Sequence, residues 1–591
     1  MFHRFATPLV AIIALAFLGV VAVPIMSDPT HWVLGDAAGR APYALWSTWT
    51  RTEMWVAGIP APQIGFPHLS SPPETVSPAH FWLFAGLSRL TGTGPAGAAL
   101  AWNLAILCWL AIGIAGTVAL IRRVIPKASA VVHGVAIIAI PASLGWSGAI
   151  VAGDVADLPA LLLPAHLALL DRWVGKDRDP LSGLGAALLL VLSTLTRWQM
   201  SFFVLAMALP LATVMGRHLQ DRSSIRRWAI ALLPGVLVGI GHIWASDGAL
   251  MPGPTASAAY LRAPLTALFA ADQHTLLSPW LMALPALGIL VMVLISTLDR
   301  PLASTGWWLC AAWGVLLAGG TTATPFIAPG RRLADLFGVL QGITDWSMVT
   351  PLIAIPFGVL AAKGAAALER RHTRSVAIAL ALAALADQSH HLIGMHTDDR
   401  RFEVRPTRVA KIAFEQIPPG AVLELPFAPD RSPARGAALL DQLMHRRPVS
   451  IGASAGGEGA IALSYLARLT LRMQLDPGPL PSPQMPLHPQ EFLCAAADIS
   501  QLEELGFTAV AYRGLPDPAH PTWQTLSVVL GKPAFRDRTF TVWSLQNATH
   551  SSTEGPCPLL EIPAGFTPSR GISPGGDERP STPPGGTPCS R

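Results

Sequence analysis

The run Leu9-Val10-Ala11-Ile12-Ile13-Ala14-Leu15-Ala16-Phe17-Leu18-Gly19-Val20-Val21-Ala22-Val23-Pro24-Ile25-Met26 is followed, four residues later, by His31-Trp32-Val33-Leu34-Gly35-Asp36. The first stretch has about the length that crosses a bilayer core. Arg4 precedes it. It therefore reads either as a first membrane helix with its N-terminus inside or as a cleaved signal peptide. Both readings put Asp36 on the outer face. A carboxylate at the outer mouth of a multi-span bundle stands where an acceptor could be activated for transfer from a lipid-carried donor.

The rest of the chain supports a bundle. Of 591 residues, 51% are hydrophobic and only 13% are charged. The mean hydropathy is +0.45. A soluble protein carries roughly 25% charged residues, so lipid must cover much of this surface. The net charge of +5 does not point to nucleic acid, because the basic residues gather in short loops between apolar runs, which is an orientation signal.

Eleven runs read as membrane helices, at about 9–26, 98–121, 129–149, 156–170, 182–196, 199–216, 228–245, 279–297, 303–320, 347–366 and 374–391. With the N-terminus inside, the inner loops hold sixteen Lys and Arg and the longer outer loops seven. That bias follows the positive-inside rule and leaves the C-terminal region outside.

Three outer segments carry candidate chemistry. The first loop, 27–97, contains Asp36 and then Tyr43-Ala44-Leu45-Trp46-Ser47-Thr48-Trp49. A helix there presents Trp46 and Trp49 on one face, and tryptophan prefers the headgroup zone, which predicts a short helix lying on the outer surface. The second loop is the acidic turn Gly153-Asp154-Val155-Ala156-Asp157. Asp154 and Asp157 are either ordinary helix caps or a pair of acids facing the site. The third holds Arg331 and Arg332, suited either to a phosphate by bidentate hydrogen bonding or to lipid headgroups. Arg197 is a weaker candidate of the same kind.

No carboxylate lies well inside any run, and Asp387 sits near the outer end of the last. Ion-coupled carriers usually keep such groups in the bilayer. No GxxxxGK[ST] loop is present, which argues against ATP-driven transport by this chain. Gly235-Val236-Leu237-Val238-Gly239 reads as a close-packing motif. Of the five cysteines, Cys108 and Cys310 fall in apolar runs and Cys494 in the C-terminal region. Cys557 and Cys589 flank the Pro/Gly-rich tail and could pair in an oxidising compartment. No CxxC or Cys/His cluster points to zinc.

After His391 the charge density becomes ordinary. Val409–Gln416 predicts a helix, and 421–425, 507–512 and 539–545 predict strands of a small α/β domain. The division expected is a membrane domain over 1–392, an outer α/β domain over 393–546 and a disordered tail over 547–591.

Leu34-Gly35-Asp36 after span one, the acidic turn between spans three and four, and Val422-Leu423-Glu424-Leu425-Pro426 followed by Asp441-Gln442-Leu443-Met444-His445-Arg446-Arg447-Pro448 occur in an order that resembles the GT-C superfamily of membrane glycosyltransferases. More narrowly, it looks like the large bacterial members of that superfamily with a periplasmic C-terminal domain. The resemblance implies a mainly α polytopic bundle in the bacterial inner membrane. It also implies transfer of a sugar from a polyprenyl-phosphate carrier to an extracytoplasmic glycan, lipid or protein acceptor. Asp36 would then be the base or hold the acceptor, and Asp154 and Asp157 would assist it or bind a divalent cation such as Mg or Mn. Many relatives carry an arginine before a late span, where this chain reads Thr344-Asp345-Trp346-Ser347-Met348-Val349, which leaves Arg331 and Arg332 for the phosphate. A lipid-linked glycan transporter or flippase, or an assembly scaffold, remains the alternative from the sequence.

Overall fold

The computed structural model describes residues 3–36, 41–59, 62, 78–141, 155, 158–175, 179–196, 200–202, 204–205, 222–245, 279–318, 350–371, 373–383, 401–404, 408–425, 433–450, 464–475, 487–513, 520–537, 540–551 and 557. Mainly helical, it carries a small sheet near its C-terminal end.

Helix α1, His3–Ala22, is followed by the strand β1, Trp32–Leu34, and by α2, Ala41–Ala57, and α3, Pro78–Thr91. Helix α4, Pro95–Val124, is 30 residues long and starts with proline at its first turn, where no backbone donor is lost. Next come α5, Ala130–Ala139; α6, Leu163–Val174; α7, Pro180–Thr196; α8, Arg222–Ala245; α9, Pro279–Asp299; α10, Pro301–Ala318; and α11, Thr350–Arg370. Among the described residues three helices are long and apolar enough to cross a membrane: Pro8–Ile25, Pro95–Val124 and Ser224–Gly241. Shorter apolar helices include Pro180–Leu195 and Arg374–Ala383. The fourth run is a 3-10 segment, Leu158–Leu162, leading into α6.

Close approach is built in with small residues. A Cβ on Gly116 of α4 would fall 2.7 Å from the backbone nitrogen of Ala165 in α6, and one on Gly235 of α8 would fall 2.6 Å from Leu190 of α7. Gly235 thus bears out the close-packing reading. Helices α4 and α6 run in the same direction, with Gly113 meeting Leu161 at one end and Arg123 pairing with Asp171 at 2.9 Å at the other.

After the helices, β2, Arg401–Glu403, returns to pair antiparallel with β1. Then α12, Arg408–Glu415, precedes a four-stranded sheet in the order β3-β4-β6-β5: Ala421–Leu425, Phe507–Arg513, Phe540–Ser544 and Phe535–Arg536. β3 and β4 are parallel and the other pairs antiparallel. The strands at 421–425, 507–512 and 539–545 and the helix at 409–416 are thus found within a residue or so. Side chains alternate across the sheet with the period of two that a pleat dictates. Val422, Ala509, Ala511 and Val542 join the large core shared with the membrane helices. Leu423, Leu425, Val510 and Trp543 face a second core built by α14, Tyr465–Leu475, α15, Pro489–Glu504, and α16, Pro521–Leu530. On the first face lies α13, Pro433–His445.

Two expectations are corrected. Cys557 is disulfide-bonded to Cys494 of α15, Cα–Cα 5.7 Å, and not to Cys589, which lies outside the described residues. Cys494 is buried at the start of the second core, so the bridge fastens the chain beyond the last strand onto the domain. Helix α2 forms, but Trp46 and Trp49 are 0% and 2% exposed and pack inside the protein, because their indole N–H groups find protein acceptors. Trp46 donates to Gln442 Oε1 at 3.1 Å and Trp49 to the Thr93 carbonyl at 3.0 Å. Trp55, farther along α2, is the exposed one.

His445 lies at the junction of α13 with the sheet. Its Nδ1 accepts from the Arg447 N–H at 3.2 Å, and its Nε2 is wholly enclosed. Burial first, then Arg513 and Arg447, hold it well below the ordinary imidazole value of 6.5. The folded state therefore binds no proton there while the unfolded chain does below 6.5. The contribution is full above 6.5 and is lost as pH falls, approaching about 1.4 kcal/mol per pH unit. Denaturant unfolding between pH 7 and pH 5 should show this loss, and His445→Gln should flatten it.

Candidate functional site

Asp36 is placed by the backbone on either side of it. Gly35 has φ 140°, a region that L side chains avoid, so the turn out of β1 requires glycine there. Before it, Leu34 is held at both its polar backbone groups by consecutive residues of α4. The Leu34 N–H donates to Asn103 Oδ1 at 2.9 Å, and the Trp102 indole N–H donates to the Leu34 carbonyl at 3.0 Å. Asn103 Nδ2 also donates to the Pro29 carbonyl at 3.0 Å and the Trp32 carbonyl at 2.7 Å. Asn103 is 1% and Trp102 0% exposed. An unpaired amide in that position would cost several kcal/mol, about 2–7 by transfer scales, and here each polar atom of the Asn103 side chain is bonded.

The same strand is tied from its other edge. Trp32, Val33 and Leu34 pair with Glu403, Phe402 and Arg401. His31 Nε2 lies 2.8 Å from Glu403 Oε1. The Arg401 guanidinium covers the Trp32 ring at 4.0 Å and donates to the Pro24 carbonyl at 3.0 Å. Asp36 is half-buried beyond this ribbon.

A second junction joins α2 to the α/β domain. Gln442 is fully buried between Trp46, whose indole it accepts, and the Arg447 carbonyl, to which its Nε2 donates at 3.1 Å. Arg446, in the left-handed region at φ 58°, forms an ion pair with Glu53 of α2. Arg447 turns the other way and collects the carbonyls of Phe414, Ile417 and Pro418 at the end of α12. Beneath them Arg513 is clamped by Glu424, at 3.0 and 3.1 Å, and by Asp441. Burial drives the Glu424 carboxyl up, opposed by Arg513. Burial likewise pulls Arg513 down, but Glu424 and Asp441 together hold it above its ordinary value. Removing one member of such a buried set strands the others and is strongly destabilising. The Gln442-to-Pro448 motif is therefore a docking device.

No family model and no curated protein matches the sequence. Among solved structures, the arabinofuranosyltransferase AftD from Mycobacteria superposes with a TM-score of 0.54 at 14% identity, over 91% of this chain and 41% of that one. ArnT from Cupriavidus metallidurans, bound to undecaprenyl phosphate, superposes with a TM-score of 0.51 at 14% identity, over 93% of this chain and 100% of that one. The chain has the fold of the GT-C superfamily of membrane glycosyltransferases. It spans about two-fifths of AftD and the whole of ArnT. At this identity the likeness is one of fold.

Within this GT-C fold, Asp36 is the one sequence-predicted site residue that falls in a described segment. Asp154, Asp157, Arg197, Arg331 and Arg332 lie outside the described residues, as do Thr344–Val349 and Asp387. Among the described residues no group of three or more His, Cys, Asp or Glu is placed to hold a metal. Gln442 stands in the motif quoted from the sequence, whereas Asn103, Trp102 and Glu53 belong to no motif there. The signal for Asn103 was there: an amide in a helix of mean hydropathy 2.5 requires a partner.

Asn103→Leu keeps the volume and removes three hydrogen bonds around the Leu34 turn. It should cost about 2–4 kcal/mol, since each stranded buried group costs roughly 1–3. Trp102→Phe, which removes one bond, should cost less. Thermal unfolding of both variants in detergent checks the order, and an unchanged Asn103→Leu would refute the clamp.

Proposed function

We propose that this protein is a membrane glycosyltransferase that moves a sugar from a polyprenyl-phosphate carrier to an acceptor on the outer face, with Asp36 as base. The observation that carries the reading is the Leu34-Gly35-Asp36 turn, bonded on both sides to Trp102 and Asn103 at one end of α4, within a GT-C fold. A carboxylate that needed only to meet solvent would not call for a glycine-specific turn fixed by a buried amide. The Cys494–Cys557 bridge supports placing the α/β domain in an oxidising, extracytoplasmic compartment. The eleven-span topology and the domain limits given above belong to this reading.

The chemistry is one inverting displacement. The acceptor hydroxyl oxygen attacks the anomeric carbon as the bond from that carbon to the phosphate oxygen breaks. The hydroxyl proton passes to the Asp36 carboxylate, and polyprenyl phosphate leaves with the bonding electrons. The leaving group is already an anion of a strong acid, so no general acid is required. A positioned base contributes about 10²–10⁴-fold. Arg331 and Arg332, with Arg197, are assigned to the leaving phosphate, where cations offset developing charge. Asp154 and Asp157 are assigned to the acceptor or to a divalent cation.

Asp36→Asn is isosteric and should lower sugar transfer at least 100-fold while leaving the unfolding temperature and any copurifying polyprenyl phosphate unchanged. A transfer assay with membrane-extracted donor, beside native mass spectrometry of the same sample, reads both. Full transfer by the variant would remove Asp36 from the chemistry, and absence of any isoprenoid phosphate from wild type would shift the reading to a scaffold.

A further inference from the structure

A second charged site lies at the other end of α4. A half-open cavity of about 430 Å³ is lined by the end of α4 and the residues after it, the α9–α10 junction and the last turns of α11. Its charged lining is Lys127, Arg300, Lys363 and Arg370 against a single carboxylate, Asp299. Asp299 is already shared: Arg370 Nη2 lies 2.5 Å from it, Arg371 Nη2 3.5 Å and Arg300 Nε 4.0 Å. Among the described residues of the lining, this one carboxylate faces Lys127, Arg300 and Arg370. The buried Ser296 and Ser304 hydroxyls, 3.1 Å apart, add a polar wall.

Basic residues at helix C-termini offset the helix dipole, and inner loops are basic by rule. Neither effect requires that cations from three distant parts of the chain converge on one cavity. From Asn103 to Val124 the rise of α4 is about 31 Å, close to the hydrocarbon thickness of about 30 Å. The cavity therefore lies one bilayer away from Asp36, at the headgroup level of the opposite leaflet. Apolar Val124, Ile125 and Ala366 line it beside the charges.

We propose that this cavity is a phosphate-ester site at the inner face, recognising a phosphate carried by an anionic lipid headgroup or free in the aqueous phase. The apolar wall favours the lipid, as do basic pockets between membrane helices in general. The site does not depend on the glycosyl-transfer reading, only on α4 crossing the membrane.

The test is native mass spectrometry of the full chain in nonionic detergent, titrated with phosphatidylglycerol, phosphatidylcholine and inorganic phosphate. The variants are Lys127→Gln, Lys127→Gln/Arg300→Gln and, outside the cavity, Arg374→Gln, which faces Glu369 at 3.5 Å. At about 1 kcal/mol per cation, affinity for phosphatidylglycerol should fall roughly fivefold in the single variant and roughly 30-fold in the double. Arg374→Gln and phosphatidylcholine binding should stay within about twofold of wild type. Competition by inorganic phosphate supports the site with a lipid occupant. Binding of inorganic phosphate without phosphatidylglycerol supports it with a soluble phosphate ester. Equal binding of the two lipids together with no phosphate binding overturns it, as does equal weakening by Arg374→Gln, which would mean diffuse surface charge. Exposed Lys127 makes the single variant informative even where the double fails to fold.

Discussion

One side-chain amide organises the segment of this protein that carries Asp36. Asn103 sits in the second crossing helix and takes three bonds from a loop some seventy positions earlier in the chain. A buried amide is costly when unpaired and contributes little net stability when paired, so its effect is one of specificity. The loop has one low-energy conformation against α4, the one in which every polar atom of Asn103 is bonded. That conformation fixes Leu34, and the positive φ of Gly35 then directs the chain into Asp36. The pairing of β1 with β2 carries the same constraint forward, so the segment that follows the membrane helices starts from the strand that carries the candidate base.

The second constraint acts from the far end of the chain. Gln442 and Arg446 engage Trp46 and Glu53 of α2, while Arg447 and the Arg513 cluster hold the α/β domain to itself. The segment from β1 through α2 is therefore pinned from both sides, by α4 and by α13. In such an arrangement the domain sets the loop conformation around the site even though none of its described residues belongs to the proposed chemistry. A motif of the form Gln…His-Arg-Arg-Pro is then a requirement of docking.

The sequence was most legible where one physical rule decides. Strand and helix positions in the C-terminal domain followed from period-two and helical patterns, because a two-sided core forces alternation. The membrane character followed from composition. Trp46 and Trp49 were misplaced because the headgroup preference of tryptophan is a tendency of lone residues, whereas these have protein acceptors contributed by Gln442 and Thr93, distant in sequence. The cysteine pairing failed for the same reason: Cys494 and Cys557 are 63 positions apart, and only the fold brings them together. Asp36 was legible as a carboxylate after a span. Its clamp was not, since no local pattern tells which backbone groups an isolated asparagine will satisfy.

The account's central claim is that α4 crosses the bilayer with the Asp36 turn at its outer end and the basic cavity at its inner end. The direct measurement is thiol accessibility in intact cells with a membrane-impermeant maleimide, using Asp36→Cys and Lys127→Cys in a Cys589→Ser background. The account predicts that Asp36→Cys is labelled from outside and that Lys127→Cys is labelled only after permeabilisation. Labelling of both from the same side, or the reverse order, would contradict it.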